Sequence, residues 1–163
     1  MRRHWSHVAI AAGALVLLGQ GCVSFGGKQT AGSGPMGVFV SPDRGDSWQH
    51  ISILPTAAGA QTLSSVGVYR LVTDPEDARA LYWLSRENGL FYTYNEGRTW
   101  QHAEEAPLTS GFIPALAVHP NEKCTLYATS GTLVYKSTDC SRSWKEVYRE
   151  SRNDTQVVSI AFN

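Results

Sequence analysis

A chain of 163 residues with 42% hydrophobic and 17% charged side chains is long enough for one domain with a real core and too apolar to remain an unfolded coil. Its 14 basic residues balance 14 acidic ones, and without the first 21 residues the balance becomes 12 against 14, which excludes the basic surface that a nucleic-acid partner requires. No metal-ligand spacing, phosphate loop or nucleophile elbow occurs, so no cofactor or metal is expected.

In chain order, Arg2, Arg3 and His4 precede an apolar run from Val8 to Leu18, which is too short to span a bilayer comfortably. Residues 1–21 therefore read as a secretion signal. The following "LLGQGC" ends at Cys22 and resembles a bacterial lipobox, although Gly19 stands where leucine is usual and Leu18 lies one place further back. The resemblance implies cleavage after Gly21, lipidation of Cys22, and a membrane attachment on the extracytoplasmic side of a bacterial envelope. The alternative is an ordinary signal peptide with an incidental Cys22. Residues 22–36, with "GGKQTAGSGP", have the composition of a flexible tether.

Beyond the tether the chain repeats itself. "GVFVSPDRGDSW", "GLFYTYNEGRTW" and "LVYKSTDCSRSW" align without gaps, and their tryptophans, Trp48, Trp100 and Trp144, are 52 and 44 residues apart. Upstream, "RLVTDPEDARALYWL" matches "ALAVHPNEKCTLYAT" at an offset of 45. A period near 45 built from short alternating strands predicts four-stranded propeller blades. In the second copy the strands are expected near Gly67 to Thr73, Ala80 to Leu84, Leu90 to Tyr94 and Thr99 to Ala103. Asp74-Pro75 and His119-Pro120 break the chain after the first strand of a blade, and Asn88-Gly89 marks the hairpin between the second and third.

Each octet, "SPDRGDSW", "TYNEGRTW" and "STDCSRSW", then falls between a third and a fourth strand. An Asp there accepts backbone N–H bonds within the turn, Gly supplies positive φ, and Trp buries a large ring between neighbouring sheets. These octets resemble Asp-boxes, the bacterial neuraminidase repeats of β-propellers in sialidases, other Asp-box glycosidases, sortilin receptors and the photosystem II assembly and stability factor family. The positions that carry the resemblance are Ser41, Asp43, Gly45, Ser47 and Trp48 in the first octet, and Thr93, Asn95, Gly97, Thr99 and Trp100 in the second. In the third they are Ser137, Asp139, Ser143 and Trp144. Asn95 keeps an acceptor without the charge. Cys140 and Ser141 displace the third glycine, so that turn must be held by another means. The resemblance implies a structural role for the octets, away from the substrate side.

The expected fold is all-β, a partial Asp-box propeller over 37–163: a half blade at 37–56, blades at 66–103 and 112–149, and the first strand of a further blade at 156–163. Open edges on such an array are an aggregation liability, and the count reads as a piece of a longer protein; closure by oligomerisation is the alternative. Cys124 begins the second strand of its blade and Cys140 follows the third, so antiparallel pairing brings both to one end of the sheet, and a disulfide is expected between them in an oxidising compartment.

The inner strands "GVYRLVTD" and "FIPALAVH" are mainly apolar, with no acid pair of the kind a glycosidase aims at its substrate. No catalytic residue is therefore assigned. The loops facing away from the octets, Ala103 to Gly111 and Arg149 to Gln156, together with Arg86 and Glu87, form the candidate binding face; their charged members are Glu104, Glu105, Arg149, Glu150, Arg152 and Asp154. The expectation is a non-catalytic extracytoplasmic scaffold that contacts a protein or glycan partner and reaches the membrane through its lipid. The alternative is part of a secreted Asp-box glycosidase, sialidase-like or glucanase-like, whose catalytic residues lie in other blades.

Overall fold

The computed structural model describes residues 34–162. The signal, Cys22 and most of the tether lie outside them. Among the described residues there are twelve strands and no helix, and hence no helix long and apolar enough to cross a membrane.

The first pair is β1 (Phe39–Val40) with β2 (Gln49–His50), an antiparallel half blade around the first octet. A hairpin follows, β3 (Ile53–Thr56) with β4 (Gly59–Thr62). The first full blade is β5 (Arg70–Thr73), β6 (Leu81–Leu84), β7 (Leu90–Thr93) and β8 (Gln101–His102), paired in that order. The second is β9 (Leu116–Val118), β10 (Leu126–Ser130), β11 (Leu133–Ser137) and β12 (Lys145–Arg149), paired likewise, with a register shift between Val134 and Tyr135. Both are four-stranded antiparallel meanders, the blade of a β-propeller.

Alternation along the strands explains the packing. Successive side chains point to opposite faces. Tyr82, Leu84, Leu90 and Tyr92 of the first blade meet Leu116, Leu126, Ala128 and Tyr135 of the second in one core. Trp83 and Phe91, between them in sequence, turn to the other face and meet Val38, Leu63 and Val66. The first blade is thus a slab with apolar cores on both faces. This is why "LYWL" and "LFYT" read as continuous rather than alternating hydrophobics.

Three expectations are corrected. Residues 53–56 leave the half blade and form the β3–β4 hairpin, which lies beside β8; the Ile53 carbonyl accepts the Trp100 N–H at 2.7 Å. Pro55 sits on the same edge of β3 as Ile53 and removes a donor there, the residue that an open strand edge tolerates. Residues 156–162 form no strand. Among the described residues no strand pairs with this segment, which makes one ladder-like bond, Val157 N–H to the Gly131 carbonyl at 2.9 Å, and lays Phe162 against His119 and Tyr127 at ring separations of 4.7 and 5.5 Å. The third correction is Trp48, which is 64% exposed while Trp100 and Trp144 are buried. Trp100 packs against Trp83 at 5.3 Å and donates its indole N–H to the Ile51 carbonyl of the preceding half blade at 2.6 Å. Among the described residues no strand precedes the half blade to cover Trp48 in that way.

Candidate functional site

Antiparallel topology gives each blade two ends. The β5–β6 and β7–β8 turns share one end with the octets. The β6–β7 turn and the long link from β8 to β9 occupy the other.

At the octet end the polar groups are consumed internally. In the first octet Ser47 N–H and Oγ donate to the two oxygens of Asp43 at 2.8 and 2.5 Å, and the Ser41 hydroxyl donates to Asp43 at 2.9 Å while accepting from Gly45 N–H. The third octet repeats this with Ser143, Asp139, Ser137 and Ser141. In the second, Thr99 N–H and the Thr93 hydroxyl donate to Asn95 Oδ1 at 3.0 and 2.8 Å, but Asn95 Nδ2 now donates to Thr99 Oγ1 at 2.8 Å. The amide reverses one bond and keeps the turn. Hydrogen bonds from Ser47 hold the Asp43 carboxyl below its ordinary pKa. Partial burial raises that of Asp139, but bonds from Ser143 and Ser137 outweigh it and the net shift is downward. In all three octets two successive residues take left-handed φ: Arg44 and Gly45, Glu96 and Gly97, Cys140 and Ser141.

The missing third glycine is replaced by a covalent constraint. Cys124 and Cys140 form a disulfide with Cα atoms 4.1 Å apart, and Cys140 N–H donates to the Cys124 carbonyl at 3.3 Å. His119, beside Pro120, caps the adjacent turn by accepting Asn121 and Glu122 N–H at Nδ1.

At the opposite end the predicted loop charges divide. Arg149 grips Glu146 with two bonds of 2.9 and 2.6 Å. Glu150 accepts from the Arg152 side chain and backbone, which carries its pKa down to about 2. The Asp154 carboxylate accepts the Thr155 hydroxyl. These charges are bound within their own strand or loop. Glu104 and Glu105 are exposed, and the link that carries them is anchored by buried Leu108, whose carbonyl accepts Leu90 N–H at 2.9 Å.

Arg86 and Glu87 stand at this same end, outside these loops. Together with Asn88 they form the β6–β7 turn, which is fixed from several sides: Asn88 N–H donates to Ser85 Oγ at 2.7 Å, Gly111 N–H to the Glu87 carbonyl at 2.8 Å, and His102 Nε2 lies 2.9 Å from the Asn88 carbonyl. Gly89 has a φ of 74°, and a Cβ there would run into the Leu108 carbonyl. The Arg86 guanidinium lies 4.6 Å from the Tyr69 ring centre and 5.3 Å from that of Phe112; these two rings meet edge-on at 4.8 Å. Beside this stack opens a cleft of about 240 Å³, lined by Met36, Ser65, Gly67, Val68 and Tyr69 from one side and Arg86, Glu87 and Asn88 from the other. Neither β5 nor β9 bears a carboxylate. Among the described residues no cluster of three or more His, Cys, Asp or Glu could hold a metal ion.

Residues 36–159 match the sequence model of the Sortilin-Vps10 family, described as sortilin, neurotensin receptor 3. The chain belongs to the Sortilin-Vps10 family. The match spans the half blade and both full blades of this Sortilin-Vps10 chain. Its curated relatives include a xyloglucanase of Acetivibrio thermocellus, 29% identical over 134 residues, which cover 68% of this chain and 16% of the relative. A xyloglucanase of a Paenibacillus species is 40% identical over 77 residues, covering 47% of this chain and 7% of the relative. A probable oligoxyloglucan-reducing end-specific xyloglucanase of Neosartorya fischeri is 29% identical over 87 residues, 53% of this chain and 10% of the relative. Among solved structures, an ancestral GH74 enzyme aligns with a TM-score of 0.49 at 29% identity, over 70% of this chain and 15% of that one. The chain thus spans between 7% and 16% of the length of these curated relatives.

Sequence reasoning missed Tyr69, Asn88 and Phe112. Two aromatics within the segments that lead into successive inner strands, at Tyr69 in "GVYRLVTD" and Phe112 in "FIPALAVH", were the available signal. Only the blade-to-blade packing brings them under Arg86.

Proposed function

We propose that this chain is part of an extracytoplasmic glycoside hydrolase that acts on xyloglucan, with octets that are Asp-boxes holding the blades and an opposite end that meets the glucan. The observation that carries this reading is the 29% identity to the Acetivibrio xyloglucanase over 134 residues, 68% of this chain, which is far longer than one octet. It favours the hydrolase alternative over the scaffold. The disulfide fits an oxidising compartment, and lipidation at Cys22 would tether the blades to the envelope; Cys22→Ser should then move the protein from the membrane fraction to the soluble one, and unchanged partitioning would refute the anchor.

With no carboxylate on β5 or β9, the chain by itself is expected to hold xyloglucan without cleaving it, since cleavage needs a pair of carboxyl groups at a fixed separation. Affinity electrophoresis tests this. The chain should be retarded in gels containing xyloglucan but not in gels containing mannan, and no new reducing ends should form. Equal migration in both gels contradicts the reading.

A further inference from the structure

The cleft between residues 65–69 and the β6–β7 turn differs from the octets and from the surface around β12. At the octets, side-chain hydroxyls and carboxylates bond their own turn. Along β12 and in the loop after it, arginines pair with neighbouring glutamates. In the cleft, Arg86, Glu87 and Asn88 have no side-chain hydrogen bond or ion pair to any described residue, although the backbone beneath them is tied down at Ser85, Gly111 and His102. A rigid turn that carries unengaged polar groups is organised for a ligand, because little conformational entropy remains to be lost when it binds.

We propose that this cleft binds a single neutral pyranose unit of a glucan chain. Three features select that chemistry. The lining charge cancels, Arg86 against Glu87, so neither an anion nor a cation is favoured over an uncharged polyol. Guanidinium, carboxylate and amide are planar groups that each bridge two adjacent hydroxyls, and contact with the Tyr69 and Phe112 rings holds the guanidinium beside the cleft. Val68 and Met36 are exposed apolar side chains on the facing wall, suited to the C–H face of a sugar ring. A volume of about 240 Å³ is small for a drug-sized ligand, whose sites begin at roughly 300 Å³, and suits one ring with its neighbours left outside. The groove between β3 and β8 is larger, but Pro55 and the Trp100–Ile53 bond close its edges to an added strand. The pyranose assignment rests on the xyloglucan reading for its glucan, and on the cleft for its position.

The test is calorimetric titration of the chain with a xyloglucan heptasaccharide, beside maltoheptaose and a galacturonan oligosaccharide. Arg86 is exposed and Arg86→Ala leaves the cores untouched. Gly67→Gln is the second variant: Gly67 lies outside the left-handed region, and a Cβ there meets only Met36 Sδ at 3.9 Å, so the side chain fills the cleft without disturbing the fold. Each variant should weaken heptasaccharide binding at least tenfold, while Lys123→Ala, at an exposed position of the β9–β10 turn at the octet end, should not. If both variants bind the heptasaccharide within twofold of the native chain, the cleft is the wrong place and the xyloglucan reading stands. If maltoheptaose binds instead with the same dependence on Arg86, the cleft stands and the xyloglucan reading fails. Preference for the galacturonan, or no binding of any probe, overturns the subsite.

Discussion

The first full blade and the second have the same strand count, the same strand order and nearly the same length, yet their burial differs. In the first, every residue of β7 and three of four in β6 are buried; in the second, all five residues of β12 are exposed, with Val147 and Tyr148 among them. The octet tryptophans show the contrast at single residues. Trp100 is fully buried, Trp144 is 6% exposed and Trp48 is 64% exposed, although the turns that precede them make nearly the same hydrogen bonds. Local sequence sets the turn, and the preceding blade sets the burial of the ring that follows it.

The strongest test of this difference is a pair of truncations. Trp100→Ala removes a ring packed on Trp83 and bonded to Ile51 and should cost about 3–5 kcal/mol. Trp48→Ala removes a mostly exposed ring and should fall within about 0.5 kcal/mol of the native chain. Urea unfolding measures both, and equal losses would break the comparison.

The disulfide sharpens it next. Its partners are 16 residues apart, and the chain-entropy account credits a loop of that size with about 3 kcal/mol. Reduction, or Cys124→Ser with Cys140→Ser, should lower the unfolding midpoint and loosen the third octet before the second, read from amide exchange at Ser143 against Thr99. Uniform loosening of both would show that the bridge does not serve its own turn.

A smaller effect separates the two turns by their left-handed residues. Gly97 has a φ of 80°, and a Cβ there would stand 2.6 Å from Ile51 Cδ1, so Gly97→Ala meets both strain and a clash and should cost at least about 1 kcal/mol. Ser141 occupies the same place in the third octet at a φ of 64°, with its buried hydroxyl unpartnered. Ser141→Gly should therefore stabilise by about 1 kcal/mol. Thermal melts of the two variants should move in opposite directions.

How far these features could be read in advance depends on the range of the interaction. The octets, the Asn88-Gly89 hairpin and the approach of Cys124 to Cys140 follow from contacts within one blade, and the repeat carried them. The β3–β4 hairpin did not show because "ILPTAAGAQT" places Pro55 inside a strand, which local propensity reads as a break. The exposure of Trp48 was hidden because its motif is intact while its packing partner belongs to another blade. The cleft was hidden for the same reason, since Met36, Tyr69, Arg86 and Phe112 lie across three repeat segments and none of them belongs to the repeated pattern.

The smallest effect is electrostatic. Asp43 and Asp139 are held below the ordinary carboxyl value of 3.8, so their support of the turn is complete above about pH 4 and is lost as the pH falls through their lower folded values. Asn95 does not titrate. The amides of Ser47 and Ser143 should shift between pH 5 and pH 2 with midpoints below 3.8, while Thr99 stays flat; a parallel shift at Thr99 would mean a global change instead.

The central claim is that one end of the blades holds the fold and the other meets the ligand. Amide chemical-shift mapping during titration with a xyloglucan heptasaccharide tests it most directly. The account predicts shifts confined to residues 65–69, 86–89 and 111–112, with Ser47, Thr99 and Ser143 unmoved. Shifts centred on the octets, with none at the β6–β7 turn, would contradict it.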